Sequence, residues 1–502
     1  MNNPDFMRAF KLFALAAAGT ASLGLFASCE KFLDVNQNPN AVLEAPASNI
    51  LVAAETSLGF LMGSDLHRYT SLIVQQFAGQ GGSGIQAAEF DRYNITPTDI
   101  NNVWRGAIYA GSLADMQKLI DQTQATSPKY AGIAKIAKGF LFSVTTDAFG
   151  DIPFSEALLF DKNFAPKYDA SAAVYTGIIA LLNDGISDLK KQSLLTPGND
   201  DLIYGGDLAK WERLANTLKL RLYLHSFPKV TAASNADFAA LLAAPASIFF
   251  RNNADNFLLR FEAIANKNNP IDQFEKSRNN TFFPSVTLVN LMNAKADPRR
   301  PAYLTLLPAV PATPTTPAIP AAYVGAANGT GVTGVFSNFS RMNTYLRGNP
   351  IPGGSGFNNF DGTAPIRMLT FAEYNLILAE YYARTGNLAS AQTSLTAGIT
   401  ASMDDAGVAS ADRTAYIAAR PALTAANAVQ IIVEEKFIAN YGVAVEPWTD
   451  YRRTGFPTLA VPANSSISAI LRVLPYSDLE RTSNPNTPAR PNLTTPTVFW
   501  DK

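Results

Sequence analysis

The residues FAEYNLILAEYYARTGNLASAQTSLTAG, at positions 371–398, decide the fold of this 502-residue chain. Their apolar side chains recur every three or four positions, which is the spacing of one face of an α-helix. Gly386 interrupts this spacing, and a glycine just after the last periodic residue is typical of a helix end. The stretch therefore predicts two helices that are joined by a tight turn and packed against each other.

The same stretch matches the tetratricopeptide pattern, in which large and small apolar residues of one helix face small residues of the next. The matching residues are Leu378, Ala379, Tyr382, Gly386, Leu388, Ala391 and Leu395. A generic antiparallel helix hairpin explains a single match almost as well, and both interpretations stay open at this point.

Helical spacing extends through most of the chain, whereas the alternation typical of strands is rare. Further helices are predicted at 49–62, 65–77, 103–120, 130–144, 171–191, 207–227 and 425–441. Long irregular segments at 80–99, 150–169, 252–283 and 307–365 separate them. Loops this long are usually functional or disordered. We expect an all-α fold in which these irregular segments are loops of one domain, rather than linkers between several domains.

Charge and cysteine content exclude several classes of function. The chain has 40 Lys and Arg against 41 Asp and Glu, and no block of five like charges. Nonspecific electrostatic binding to nucleic acid is therefore not expected. Only 16% of the residues are charged, below the roughly 25% usual for soluble domains, which indicates neutral ligands or protein surfaces as partners. One cysteine and two histidines leave no basis for a disulfide framework or a multi-cysteine metal site. We expect no cofactor and no metal.

The N-terminus has the pattern of an export signal. Arg8 and Lys11 precede an apolar stretch at 12–26, which is shorter than the roughly 20 residues that span a bilayer. This arrangement predicts a secretory signal peptide. Small residues then lead into the only thiol, Cys29, in the sequence LFASC, and this looks like the lipobox of a bacterial lipoprotein.

These signals predict the boundaries of the mature protein. We expect residues 1–28 to be removed as a lipoprotein signal peptide, and Cys29 to be lipidated. Residues 29–45 would form a polar, lipid-anchored spacer, and 46–502 a single helical domain. The alternative is an ordinary signal peptide followed by an incidental cysteine. Two acyl chains would tether the protein stably to a membrane without embedding it.

Motifs that carry chemistry are mostly absent. The sequence GTGVTG at 329–334 matches a nucleotide-binding fingerprint by letter, but no apolar strand precedes it. His225 has apolar neighbours on a helix and is predicted to be a core or interface residue, while His67 has no nucleophile paired with it. Two carboxylates across a cleft would make a glycosidase, so a surface glycoside hydrolase is an alternative to a binding protein.

Six features of the chain occur in the same order in one known family. They are CEKFLDVNQNPN at 29–40; TDAFGDIPFSEA at 146–157; DLIYGGD at 201–207 with KW at 210–211 and NTLKLR at 216–221; the helix pair at 372–398; EPWTDYRRTGFP at 446–457; and Arg472 with LPY at 474–476 and Glu480. Through them the chain resembles the SusD/RagB family of outer-membrane nutrient-binding lipoproteins, over nearly all of its mature length.

The resemblance implies a binding protein and not an enzyme. Such proteins are surface lipoproteins of Bacteroidetes that hold an oligosaccharide or another nutrient against a SusC-like TonB-dependent outer-membrane transporter. The implied fold is all-α, with tetratricopeptide-like helix pairs as the scaffold and long irregular loops as the ligand face. A helical-repeat scaffold without any ligand is a further alternative. One departure concerns Glu30, a single acid directly after Cys29, where surface-export signals of this group often contain several.

The family motifs themselves are expected to serve the structure. Trp211 and Trp448 should fill core positions, because an indole on an amphipathic helix is usually buried. Arg452 and Arg453, beside Asp450 and Glu446, suggest a charge-assisted network that locks the C-terminal helix. Asp147 and Asp151, around Gly150, should hold a tight turn.

Ligand binding is expected from the loops. A site for a neutral sugar needs an aromatic ring that stacks on the sugar, with amide, carboxylate or guanidinium groups around the ring to bind hydroxyls. The candidate residues are Gln86, Phe90, Arg92, Tyr93, Asn279, Asn280, Phe282, Phe283, Tyr345, Arg347 and Asn358. For each aromatic residue among them, the alternative is a buried loop anchor. A peptide ligand would need a more charged site, so the low overall charge favours a glycan.

Overall fold

The structure is a computed structural model that describes residues 45–82, 85–313, 316–490 and 492–502. The expected signal peptide, the expected lipidation site Cys29 and nearly all of the expected spacer lie outside the described residues. Residues Ala47–Lys502 form one compact unit. In the described part of the chain, no helix is long and apolar enough to cross a membrane.

The described residues are mostly helical, as the sequence predicts. The α-helices are α1 (Ala47–Gly63), α2 (Asp65–Ile73), α3 (Gln86–Asp91), α4 (Ala114–Thr123), α5 (Pro128–Phe149), α6 (Ser171–Leu189), α7 (Leu208–Ser226), α8 (Ala236–Ala243), α9 (Pro270–Ser277), α10 (Val286–Ala294), α11 (Arg300–Tyr303), α12 (Thr344–Arg347), α13 (Phe371–Arg384), α14 (Leu388–Asp405), α15 (Ser410–Ala418), α16 (Ala428–Ala439), α17 (Glu446–Thr454) and α18 (Asp478–Ser483). Short strands are β1 (Phe77–Gly79), β2 (Phe257–Leu259), β3 (Phe282–Pro284) and β4 (Ile366–Leu369).

The helix pair predicted from 371–398 is confirmed as α13 and α14. The Thr370 side chain caps α13 by accepting a hydrogen bond from the Glu373 amide at 3.1 Å. Gly386 adopts φ +83° at the turn, a conformation that is cheap only for glycine. The two helices approach so closely that a Cβ on Gly398 would lie 2.7 Å from Leu376. Small residues at this crossing therefore give the pair its tetratricopeptide-like packing.

The predicted helix at 103–120 is helical, but it is not a single α-helix. The chain follows a π-helical segment over Asn102–Leu113 and then continues as α4. Gly111, inside the π-helical segment, departs from helical geometry with φ −95° and ψ −110°. Apolar spacing shows which residues face the core, but it does not distinguish an α-helix from a wider π-helix.

A buried network of charges joins α7, α13, α16 and α17. Arg221 binds Glu373 through two hydrogen bonds of 2.6 and 2.7 Å. The Lys436 ammonium lies 2.6 Å from Glu446 and 3.1 Å from Asp450. These side chains are almost fully buried, so their charges are tolerated because each has a partner of opposite sign.

The predicted network of the C-terminal motif is confirmed only in part. Trp211 and Trp448 are fully buried, as expected, and Arg453 donates to Asp450 at 2.9 Å. Arg452 instead stacks over Trp448, 3.9 Å from the ring centroid, and donates to the Arg472 carbonyl. Burial lowers the pKa of Arg452 to about 10. Two adjacent arginines on a helix point in different directions, so they cannot both reach the same acids.

The predicted turn around Gly150 is held differently than expected. Asp147 accepts a hydrogen bond from the Tyr175 hydroxyl at 2.5 Å, and Asp151 accepts one from the Ser171 amide at 2.8 Å. Both acids therefore tie the end of α5 to α6, and the hydrogen bond of the turn itself runs from the Gly150 amide to the Thr146 carbonyl.

Two short antiparallel ribbons shape the loop side of the unit. Strand β1 pairs with β3, with Ala78 opposite Phe283, and β2 pairs with β4. Backbone bridges add the long segment 305–340 to the first ribbon, since Gln80 pairs with Val332 and Ser285 with Ala326. The β1–β3 ribbon therefore gathers segments that lie far apart in the sequence.

Candidate functional site

The β1–β3 ribbon brings together parts of three of the long irregular segments predicted from the sequence, 80–99, 252–283 and 307–365. The Gln80 amide donates to the Thr281 carbonyl at 2.8 Å, which joins the first segment to the second. Arg341 of the third segment donates to Asn280 at 3.3 Å. We call the surface formed by Gln80, Asn280, Phe336, Phe339 and Arg341 the loop face.

An aromatic cluster forms the centre of the loop face. Phe283 is fully buried and stacks on Phe336, with ring centroids 5.9 Å apart and planes 20° apart. Phe339 meets the same ring at 5.8 Å. The Arg341 guanidinium lies 4.2 Å from the Phe283 centroid and is also paired with Glu275. Phe336 and Phe339 are half-buried, so part of each ring is open to a ligand.

A second aromatic group lies beside α9. Phe274 packs against Phe282, with centroids 5.4 Å apart, and the guanidinium of Arg68 lies 4.2 Å from the Phe274 centroid. The space lined by these residues and His67 is about 20 Å³, enough for about one water molecule. Burial, aided by the charge of Arg68, lowers the pKa of His67 to about 3. His67 is therefore a buried, neutral imidazole.

A buried carboxylate fixes the edge of the loop face. Asp91 accepts hydrogen bonds from the Asn328 side chain at 2.6 Å and from the Gly329 amide at 2.7 Å. Burial raises the pKa of Asp91 to about 6, although these hydrogen bonds favour the charged form. Arg92 donates to the Gly329 carbonyl at 3.1 Å. Asp91 and Arg92 therefore hold the backbone that continues into the ribbon.

Six of the predicted ligand-binding residues are buried and serve as anchors, which corrects the expectation that they offer a surface to a ligand. They are Phe90, Tyr93, Phe282, Phe283, Tyr345 and Arg347. The Tyr93 hydroxyl donates to the Ile73 carbonyl at 2.8 Å, and Arg347 donates to Asp272 at 2.9 Å. Tyr345 stacks under Arg367 and donates to Asp405 at 3.0 Å. It lines a separate polar cavity of about 330 Å³.

The other predicted residues are at least partly accessible. Gln86, Asn279 and Asn358 are exposed, whereas Arg92 and Asn280 are half-buried. Of these, Asn280 contributes directly to the loop face through its contact with Arg341. The Arg92 guanidinium donates a hydrogen bond to the Gly329 carbonyl. Arg92 therefore supports the backbone next to the loop face and is not one of the residues that form it.

Sequence reasoning missed Phe274, Phe336, Phe339 and Arg341. One signal was available, because residues 301–340 contain no charged residue and no histidine, and Arg341 is the first charge after them. A lone arginine that follows a long neutral segment with two nearby phenylalanines is a reasonable candidate for a stacked guanidinium.

One group of buried residues has the composition of a metal site. Ligand atoms of His225, Glu446 and Asp450 lie within 4.8 Å of one another. The Lys436 ammonium, however, contacts both carboxylates, so a cation already compensates their charge. Burial opposes protonation of His225, but Glu446 and Asp147 outweigh it and raise the pKa of the imidazole. The group is therefore an internal ion cluster that joins α7, α16 and α17.

Comparisons with solved structures show the same fold. A chitin-binding protein is 23% identical over 91% of this chain and 100% of its own, with a TM-score of 0.74. A chitin-binding SusD homolog from Flavobacterium johnsoniae is 20% identical, covers 91% and 98% of the two chains, and has a TM-score of 0.73. A SusD/RagB family protein from Bacteroides thetaiotaomicron VPI-5482 is 22% identical, covers 88% and 95%, and has a TM-score of 0.70.

Comparisons of sequence identify the family. No curated protein matches the chain significantly. The family model SusD-like_2, described as "Starch-binding associating with outer membrane", matches residues 39–476. Because this match spans most of the sequence, the chain belongs to the SusD-like family.

Proposed function

We propose that this protein is a surface lipoprotein that binds a neutral oligosaccharide and delivers it to a SusC-like TonB-dependent transporter in the outer membrane. The family match over residues 39–476 carries the proposal. In this proposal residues 1–28 are a signal peptide, Cys29 holds the lipid, 29–45 form a spacer, and 46–502 are one domain.

The loop face supports a neutral ligand. Its half-buried rings, Phe336 and Phe339, offer apolar surface to the C–H face of a sugar. The Asn280 side chain and the exposed Asn338 offer amide groups to hydroxyls. The Arg341 charge is already paired with Glu275, so an anionic ligand would have to compete with that pair. Two of the solved relatives are named as chitin-binding, which is consistent with a glycan.

Binding without cleavage is part of the proposal. Glu446 and Asp450 have carboxylate oxygens within 4.8 Å of each other, a separation near that of a retaining glycosidase. Both residues are at most 3% exposed, and Lys436 lies against them. A polysaccharide cannot reach them without unfolding α16 and α17, which argues against the glycoside hydrolase alternative.

The binding test uses a soluble chain of residues 30–502 and calorimetric titration with N-acetylchitohexaose and maltohexaose. We expect one of these, or a related glycan on an array, to bind, and Phe336→Ala to weaken it about tenfold, equivalent to ~1.4 kcal/mol. Leu194→Ala is the control, since Leu194 is 79% exposed and lies outside the loop face. Thermal melting checks that both variants fold. Absence of binding to any glycan or peptide would leave the ligand-free scaffold as the better explanation.

The partnership is tested separately with the lipidated full chain. We expect a TonB-dependent barrel to copurify with it from detergent-solubilised outer membranes. If the protein is recovered alone under conditions that keep other lipoprotein–transporter pairs together, the delivery step is wrong even if glycan binding is correct.

A further inference from the structure

The loop between α5 and α6 is closed on itself. Ile152 and Asp169 form an antiparallel bridge, and the Asp169 carboxylate also accepts a hydrogen bond from the Ser155 amide at 2.7 Å. Glu156 pairs with Lys167 at 3.4 Å across the loop. Compact loops whose ends meet in this way are frequently functional.

This loop exposes large apolar side chains instead of burying them. Phe164 is 82% exposed, Phe160 49% and Leu159 41%. Leu158 and Phe160 adopt φ values of +63° and +51°, which are rare for bulky residues. Such strain persists only where the surrounding structure enforces it, and it concentrates at ligand-binding sites.

A cavity of about 540 Å³ lies under the loop, within the size range of small-molecule sites. Trp104 and Tyr109 of the π-helical segment form part of its wall, and Phe160, Phe164 and Glu480 form another part. π-Helical turns are also frequent at functional sites. We call this cavity and its exposed rings the aromatic groove.

The polar groups of the aromatic groove fit hydroxyls. One oxygen of Glu480, Oε1, accepts hydrogen bonds from the Tyr168 hydroxyl at 3.3 Å and from Asn484 at 3.0 Å. The other oxygen, Oε2, accepts none from the residues that the structure describes. An ionised carboxylate has room for further donors on that oxygen, and sugar hydroxyls are such donors.

The exposed charges of the loop argue against a protein partner in the aromatic groove. Asp161 and Lys162 lie between Phe160 and Phe164 in the sequence and are exposed. A protein interface would remove water from these charges at a cost, and interface cores are depleted in Lys and Asp. A sugar ring can stack on the phenylalanines while its hydroxyls replace water around the charges.

We propose that the aromatic groove is a second sugar-binding site, which takes one or two neutral pyranose units of the glycan that the loop face binds. The inference rests on the proposed glycan binding and adds a site that shares no residue with the loop face. When one glycan chain is bound at the loop face, its binding to the groove becomes intramolecular. Long glycans that reach both sites therefore gain more affinity from the groove than short ones.

The test compares Phe164→Ala with Leu194→Ala in the soluble chain of residues 30–502. Both side chains are about four-fifths exposed, at 82% and 79%, so neither variant should unfold. The probes are N-acetylchitobiose, N-acetylchitohexaose and insoluble chitin, with maltose, maltohexaose and starch as the parallel series. We expect Phe164→Ala to reduce retention on the polymer about tenfold and binding of the hexasaccharide about threefold, with Leu194→Ala unchanged. Glu480→Gln should reduce polymer binding in the same direction.

The outcomes separate the two proposals. If the wild type binds the polymer and Phe336→Ala weakens it, while Phe164→Ala matches Leu194→Ala, the second site is wrong and the loop face stands. If Phe164→Ala keeps full glycan binding but loses copurification with the transporter, the groove contacts protein and the inference is overturned. If the wild type binds no glycan, both the proposed function and this inference fail.

Discussion

Replacement of Lys436 by methionine tests whether the buried ion cluster holds the helical scaffold together. Lys436 is fully buried, with its ammonium 2.6 Å from Glu446 and 3.1 Å from Asp450. Burial opposes its positive charge, but Asp450, Glu446 and Glu373 outweigh this and raise the pKa of the ammonium. Loss of the cation leaves carboxylates buried without full compensation, which costs about 3–5 kcal/mol.

The assay is urea unfolding at pH 7, with the shift in midpoint converted to free energy through the wild-type slope. Lys190→Met is the matched control, because Lys190 forms a pair of comparable length with Glu212, at 2.8 Å, but is 60% exposed. Exposed pairs contribute at most about 1 kcal/mol. A Lys436→Met variant that is destabilised no more than Lys190→Met would refute the reasoning.

The pH dependence of the same variant gives a second check. Burial opposes ionisation of Glu446, but Arg221, Lys436 and His225 outweigh it and hold its pKa well below the usual range. Stability from this depressed pKa is present above about pH 4.5, the unfolded value, and is lost as the pH falls through the folded pKa. Without Lys436 the depression is smaller, so the stability deficit of the variant should stay constant from pH 7 to about pH 4.5 and narrow as the pH falls further.

Three further predictions concern other parts of the chain. Burial raises the pKa of Asp91 to about 6, so the stability of the wild type relative to Asp91→Asn should fall by about 2 kcal/mol as the pH rises from 4 to 7; urea melts at each pH measure this, and a constant difference contradicts it. Gly329 has φ +76°, and a Cβ there would overlap the Ala463 carbonyl. Gly334 has a similar φ of +80° but lies in open space, so Gly329→Ala should lower the melting temperature clearly more than Gly334→Ala. Equal shifts in melting temperature would show that the loop adapts freely. Cys29→Ala should move the protein from the membrane fraction to the periplasm, and retention in the membrane fraction would point to another anchor.

The scaffold could be predicted from the sequence because its signals are local. Helical spacing, the Gly386 turn and the small residues of α13 and α14 lie within 28 consecutive positions, 371–398. In the described residues, the form of the 102–113 segment, the end of α2 at Ile73 instead of at 77, the short helices and the four short strands escaped this reasoning. The loop face depends instead on pairing between residues such as Ala78 and Phe283, which no local pattern shows. The sequence therefore located the segments that meet there, but not the contacts between them.

The role of each aromatic residue in the loops could not be read from the sequence. Phe283 and Phe164 are the same residue type in long irregular segments, yet one is fully buried and the other is 82% exposed. The difference comes from partners elsewhere in the chain: Phe336, Phe339 and Arg341 cover Phe283. Phe164 is held outward by a loop whose backbone is fixed by Asp169 and Glu156.

The placement of charge links the scaffold to the proposed ligand. Many of the few charged residues, such as Arg221, Glu373 and Lys436, are paired inside the protein, where they fix how the helices pack. The segment 301–340, by contrast, reaches the loop face without a single charge. A neutral polymer meets little electrostatic preference on such a surface, so shape, ring contacts and hydroxyl hydrogen bonds decide what binds. On this reasoning, binding of the glycan should depend weakly on salt, and strong weakening between 50 and 500 mM NaCl would indicate an anionic ligand instead.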